Sequence, residues 1–244
     1  MKYRVLTVLG VLVFSFAFHN ADAINSKTSI KPAPVATETE PTFEARVADL
    51  YDSFSLKNSS MPNMLAFERA FKGYSKLKEE GKVQNNLLTI VDFDLSSTKK
   101  RMWILDMDSH TVLFNTYVAH GQGTGGEFAK NFSNIENSHQ SSLGFYMTGA
   151  TYYGGNGLSL YMDGMEKQFN SNARKRYIVI HGADYAEPSF IQRVGRLGRS
   201  YGCPAVPNKI AKNLINTIKG QSVVYIHKSN PNYLQNSTFL NYEA

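Results

Sequence analysis

The chain has 244 residues, 42% of them hydrophobic, with 26 Lys and Arg against 20 Asp and Glu and a formal net charge of +6. That length accommodates one large domain with an ample core, or one domain with an added subdomain. The basic excess is mild and dispersed, without the clustered Lys/Arg stripe that phosphate recognition requires, which argues against a nucleic-acid partner.

Residues 1–23 carry the three parts of a secretory signal. Lys2 and Arg4 are basic, Val5 to Phe18 is apolar apart from Thr7, Gly10 and Ser15, and Ala21-Asp22-Ala23 is an A-x-A cleavage site. Cleavage there leaves a mature chain of 221 residues starting at Ile24, with formal charge +5. The apolar run is short for a bilayer, and no later stretch approaches the roughly 18 consecutive apolar residues of a membrane span. The expectation is export to the periplasm or the cell-wall side, with no stable span after cleavage. An uncleaved signal anchor is the other reading of the same pattern. No cysteine stands at the cleavage site to receive a lipid.

Residues 24–41 are rich in Ser, Thr, Lys, Pro, Ala and Glu and read as a flexible tether. Over 42–81, Phe43, Val47, Leu50, Tyr51 and Phe54 recur at helical spacing. Met64, Leu65, Phe67, Phe71, Tyr74 and Leu77 do nearly the same, which predicts two amphipathic helices forming a small cap. The pattern then changes over 82–230. Short β-rich runs, separated by turn residues, lie at Leu88–Phe93, Arg101–Met107, Thr111–Val118, Leu143–Thr148, Leu158–Met162, Tyr177–His181 and Ser222–His227. A mainly β sandwich or barrel is therefore expected, with a further helix at Asn208–Ile218 and a C-terminal tail over 231–244. The Gly/Asn/Ser-rich stretch between Val118 and Leu143 is long for a connection and reads as a binding loop or lid.

A secreted chain usually carries its cysteines in pairs; this one has only Cys203, so no intramolecular disulfide is possible. Alone, such a residue is either an inert core hydrophobe or a free nucleophile. Its surroundings favour the second. The run Tyr177-Ile-Val-Ile-His181 ends in a histidine followed by Gly182-Ala183, and 22 positions on stands Gly198-Arg199-Ser200-Tyr201-Gly202-Cys203-Pro204. A thiol needs an adjacent base or a positive field to become the nucleophilic thiolate. A histidine held at a strand end can be that base. Gly198 and Gly202 permit a tight turn whose N–H groups converge on a developing oxyanion, while Arg196 and Arg199 add positive charge nearby.

These residues resemble the murein L,D-transpeptidases, in which a His-Gly pair precedes a Ser-x-Gly-Cys motif. The matching elements are His181-Gly182-Ala183 and Gly198-Arg199-Ser200-Tyr201-Gly202-Cys203-Pro204-Ala205. Tyr117-Val-Ala-His-Gly121, Phe132-Ser-Asn134 and Ser141-Ser-Leu-Gly-Phe145 extend the likeness over about residues 85–228. The resemblance implies a mostly β catalytic domain with Cys203 as nucleophile, His181 as base, the Gly182 carbonyl orienting the ring, and the N–H groups of Tyr201, Gly202 and Cys203 as oxyanion hole. The implied substrate is the peptidoglycan stem tetrapeptide, cleaved before its terminal D-alanine through a Cys203 thioester. The acyl group then passes to an amine, which on a second stem makes a cross-link and on an outer-envelope protein lysine makes an anchor. Carbapenem sensitivity is implied too, and no cofactor. Water as acceptor (an L,D-carboxypeptidase or endopeptidase) and a non-catalytic cell-wall binding module are the alternatives. Two positions depart from the wider family, which has histidine where this chain has Tyr201 and arginine where it has Ala205. The arginine's grip on substrate is therefore assigned to Arg199 or Arg196, with Ser200 and His120 as further substrate contacts. His120 reads equally well as a loop histidine bonded to its own backbone. His110 reads as an exposed residue of a hairpin turn, His139 and His227 read as structural, and without a second cysteine or an H-x-x-x-H spacing no metal site is read.

Overall fold

The computed structural model describes residues 41–56 and 59–242; the expected signal segment and nearly all of the expected tether lie outside the described residues. Helix α1 (Phe43–Asp52) begins where the Thr42 hydroxyl accepts the Ala45 N–H. Helix α2 (Met64–Glu79) begins where the Asn63 side chain accepts the Leu65 N–H, and its last turn carries Lys76 and Lys78 at the negative end of the helix dipole. The apolar stripes meet through Phe43 stacked on Phe71 at 6.0 Å and Tyr51 edge-on to Phe67 at 5.3 Å.

The strands are β1 (Leu87–Asp92), β2 (Met102–Asp106), β3 (Thr111–Thr116), β4 (Gly144–Gly154), β5 (Gly157–Gly164), β6 (Val179–Gly182), β7 (Ala205–Val206) and β8 (Val223–His227). They form one sheet in the order β3-β2-β1-β8-β4-β5-β6-β7, antiparallel except for the β1/β8 and β6/β7 pairs. The chain just beyond edge strand β3 returns to the opposite edge. Ala119 and Ala205 exchange backbone hydrogen bonds of 2.8 and 3.3 Å, so the sheet nearly closes into a barrel. All seven expected strands are present. The eighth, β7, has two residues and offers no alternation to read.

Three further helices follow: α3 (Pro188–Val194), α4 (Asn208–Ile218) and α5 (Pro231–Asn236). Only α4 carries a long apolar stripe, burying Ala211, Leu214, Ile215 and Ile218. Helix α2 packs on β1 and β8, and Phe67, Tyr74 and Leu77 join Leu88, Ile90, Phe145 and Val224 in one core. Gly73 permits that approach, since a Cβ there would overlap the Phe145 ring. The segment after residue 230, expected as a tail, is packed instead. Tyr233 is fully buried, and the buried Glu166 carboxylate accepts from the Phe145 N–H (2.9 Å), the Tyr233 hydroxyl (2.9 Å) and the Ser237 hydroxyl. No helix among the described residues is long and apolar enough to cross a membrane.

Candidate active site

The buried strand β6 puts His181 opposite Ala205 of β7 in parallel register. Carried back two residues, that register sets Cys203 beside Val179, whose N–H donates to Cys203 Sγ at 3.5 Å. Residues 22 apart in sequence thus become diagonal neighbours on adjoining strands. His181 is buried, and its Nδ1 lies 2.8 Å from the Gly182 carbonyl oxygen. A carbonyl can only accept, so Nδ1 carries the proton and Nε2 keeps its lone pair. Burial, outweighing the Gly182 carbonyl, lowers the ring's pKa, so the imidazole is neutral at pH 7.

Cys203 is half-buried, and its thiol points at the Tyr177 carbonyl oxygen at 3.5 Å. Burial pushes the thiol above its ordinary pKa, against the opposing pull of the Val179 N–H, the Arg176 charge and its own N–H. The resting thiol is therefore protonated at neutral pH.

The turn into Cys203 is held by Ser200, whose hydroxyl donates to the Cys203 carbonyl at 2.6 Å and accepts the Gly202 N–H at 3.0 Å. Two expectations change as a result. Ser200 is buried and braces the turn rather than lining a surface, and the Gly202 N–H is already engaged and does not point outward. The N–H groups of Tyr201 and Cys203 donate to no backbone or hydroxyl oxygen among the described residues. Gly202 has φ +123°, and a Cβ there would stand 2.8 Å from the Gln140 carbonyl oxygen and 2.9 Å from Ile178 Cδ1, so only glycine fits.

The remaining expected contacts separate. Arg199 is exposed and donates to the Gly125 carbonyl at 3.1 Å, whereas half-buried Arg196 donates to the neighbouring Leu197 carbonyl at 2.7 Å. His120 is a correction. Its ring is 1% exposed, Nδ1 faces the Arg101 guanidinium at 2.8 Å, and burial with that charge lowers its pKa to about 3. It supports the site only through its backbone, the His120 carbonyl accepting the Ser200 N–H at 3.0 Å. The expected lid is likewise tied down: the Ser141 hydroxyl donates to the Gly202 carbonyl at 3.0 Å, and the Ser141 N–H donates to Thr124 Oγ1 at 2.7 Å.

Two features escaped the sequence reading. Tyr201, 69% exposed, stacks on His139 at 4.4 Å beside the turn into Cys203. The guanidinium next to Gly202 belongs to Arg176, with Nη2 3.4 Å from where a Gly202 Cβ would stand. Its only sequence signal is its place three residues ahead of the strand that carries His181. Cross-strand pairing also sets Ser159 opposite His181, and Tyr161 opposite Val179 on the same face of the sheet; Tyr161 in turn stacks on Tyr152 at 4.7 Å.

Asp92, Asp94 and His227 bring one ligand atom each within 4.8 Å of one another, a grouping hidden in the sequence by the parallel β1/β8 pairing. The Lys228 ammonium already supplies a cation there, 2.9 Å from Asp94 Oδ1, and His227 Nε2 lies 3.3 Å from Asp94 Oδ2.

A structure described as an L,D-transpeptidase from Mycobacterium smegmatis is similar at 11% identity over 59% of this chain and 59% of its own, with a TM-score of 0.35. One from Xylanimonas cellulosilytica is similar at 14% identity over 78% and 94%, with a TM-score of 0.33. A cysteine-to-serine variant from Enterococcus faecium is similar at 15% identity over 59% and 50%, with a TM-score of 0.33. The first of these is thus matched over about three fifths of its length. No curated protein matches the chain. The family model described as the L,D-transpeptidase catalytic domain matches residues 58–227, from the connection before α2 to the end of β8 and through both His181 and Cys203, and the chain belongs to that family.

Proposed function

We propose that the protein is an exported cysteine L,D-transpeptidase of peptidoglycan, with Cys203 as nucleophile and His181 as base. The observation that carries this reading is the His181 ring, neutral and held by Gly182 with its Nε2 lone pair free, one strand from the only thiol of the chain. Thiol and imidazole rest as a neutral pair. The thiol turns from the Tyr177 carbonyl toward His181 when substrate arrives, since catalytic hydrogen bonds commonly form only in the substrate complex.

Sγ then attacks the carbonyl between the diamino acid and the terminal D-alanine of a stem tetrapeptide as its proton passes to His181 Nε2. The N–H groups of Tyr201 and Cys203 receive the oxyanion, with Ser200 fixing the turn that aims them. Collapse breaks the C–N bond, and the departing D-alanine takes the proton from His181. A thioester remains on Cys203. An amine of a second stem, or a protein lysine, attacks it after giving a proton to His181, and release of the acyl group restores the thiol. Arg199, Tyr201 and the Tyr152/Tyr161 pair supply surface beside the reacting carbonyl.

Mature protein incubated with defined muropeptides, with products identified by mass, tests this. The expected result is loss of D-alanine with formation of cross-linked dimer, abolished in Cys203→Ala, and a carbapenem adduct carried by Cys203 alone. Tripeptide without dimer assigns water as acceptor. Turnover that survives Cys203→Ala overturns the reading.

A further inference from the structure

Arg176, half-buried at the entry to β6, is an arginine with no carboxylate partner among the described residues. Nη1 donates to the Ser133 carbonyl at 2.7 Å and the Ser142 hydroxyl at 2.6 Å; Nη2 donates to the Gln140 carbonyl at 2.6 Å and the Ser138 hydroxyl at 3.2 Å. All four acceptors are neutral and all lie on the 133–142 loop. Among the described residues it forms no ion pair, and nearby Glu136 is held by Lys175 at 2.6 Å. The positive charge is thus held in place without being neutralised, in a medium where burial strengthens its field.

That charge lies beside the nucleophile turn. Gln140, whose carbonyl Arg176 grips, abuts Gly202, and the next residue, Ser141, donates to the Gly202 carbonyl. The expected sources of positive charge do not serve: Arg199 faces the Gly125 carbonyl and Arg196 the Leu197 carbonyl.

We propose that Arg176 is a positioning residue with two linked effects, holding the 133–142 loop against Gly202 and supplying the fixed positive charge that stabilises the Cys203 thiolate as it forms. The inference rests on Cys203 being the nucleophile. Other groups in electrostatic reach are His181 of β6, neutral, and the Tyr185 phenol after β6, whose pKa is raised, with the Tyr146 phenol of β4 and the Lys175-paired Glu136 carboxylate near Arg176 itself. None supplies a cation at neutral pH. The thiol's elevated pKa is the net result of burial outweighing Arg176, so removing the arginine should raise it further.

The test is the pH dependence of Cys203 alkylation by iodoacetamide in full-length mature protein, compared for wild type, Arg176→Gln and Arg176→Lys, with melting temperature measured alongside. Arg176→Gln should raise the thiol pKa by about one unit and slow alkylation below that pKa about tenfold. Arg176→Lys, which keeps the charge and loses the planar fork, should keep the pKa near wild type while lowering the melting temperature. Ser142→Ala, which removes one acceptor and no charge, should leave the pKa in place. A folded Arg176→Gln with an unshifted pKa overturns the proposal, as does Arg176→Lys shifting as far as Arg176→Gln. Should Arg176→Gln fail to fold, citrulline at 176 retains planar donors without charge and is read in the same way. Alkylation reports on Arg176 whether or not muropeptides turn over, and the turnover of Cys203→Ala reports separately on the nucleophile.

Discussion

Between pH 7 and pH 4, acid sensitivity should be dominated by one buried ring. His120 Nδ1 faces the Arg101 guanidinium, which can only donate, so Nδ1 is the acceptor and Nε2 carries the proton; Nε2 has no partner among the described residues. Burial, and then the Arg101 charge that protonated Nδ1 would face once that bond is broken, lowers the pKa from 6.5 to about 3. A group whose folded pKa is depressed favours folding above its unfolded pKa, and that contribution is lost as pH falls toward the folded value. The displacement is worth about 1.4 kcal/mol per unit, hence about 4 to 5 kcal/mol in full, with roughly half already lost near pH 4.5. This is a large part of the ~5–15 kcal/mol that stabilises a domain. His120→Gln keeps an acceptor for Arg101 and removes the titration. Urea unfolding of both proteins from pH 7 to pH 4 should show wild type more stable at pH 7, with that advantage shrinking and then reversing as pH falls. Parallel stability curves would refute the assignment of acid sensitivity to this ring.

His181→Ala should lower turnover about 10²-fold to 10⁴-fold, the usual worth of a positioned acid and base, while the protein keeps its circular dichroism spectrum. Near-normal turnover in a folded variant would require another base. Gly202→Ala forces a side chain into a left-handed φ against the Gln140 carbonyl and should cost about 2 kcal/mol, seen as a fall of roughly 4–8 °C in melting temperature; an unchanged melting point would show that the turn relaxes freely. Glu166 has its pKa raised by burial, so it favours folding below its unfolded pKa of 4.5 and loses that contribution as pH rises through the folded value. The stability of wild type relative to Glu166→Gln should therefore be greatest below about pH 4.5 and decline toward neutrality, and an advantage that grows with pH would contradict the burial argument.

The strands and the three longer amphipathic helices were legible because their signal is local: alternation and 3.6-residue periodicity need only a few neighbours. Strand β7 and helices α3 and α5 were not, because two residues or two turns carry no period, and what holds them is distant: Ala119 for β7, Glu166 for the segment that contains α5. The His181/Cys203 pair, the proposed base and nucleophile, could be read from residue type and motif, since imidazole and thiol carry that chemistry whatever the fold. Which groups surround them could not. His120 and Ser200 looked like substrate contacts by position, yet closure of the sheet through Ala119 and Ala205 buries both. Arg176 belongs to no motif in the sequence, and only the return of the 133–142 loop over Gly202 gives its charge a place. Sequence by itself determined the chemistry available, because chemistry belongs to residue types. The tertiary structure decided which polar groups are exposed, which are already hydrogen-bonded, and which cation stands beside the thiol, because burial and field depend on distances that close only when remote segments pack.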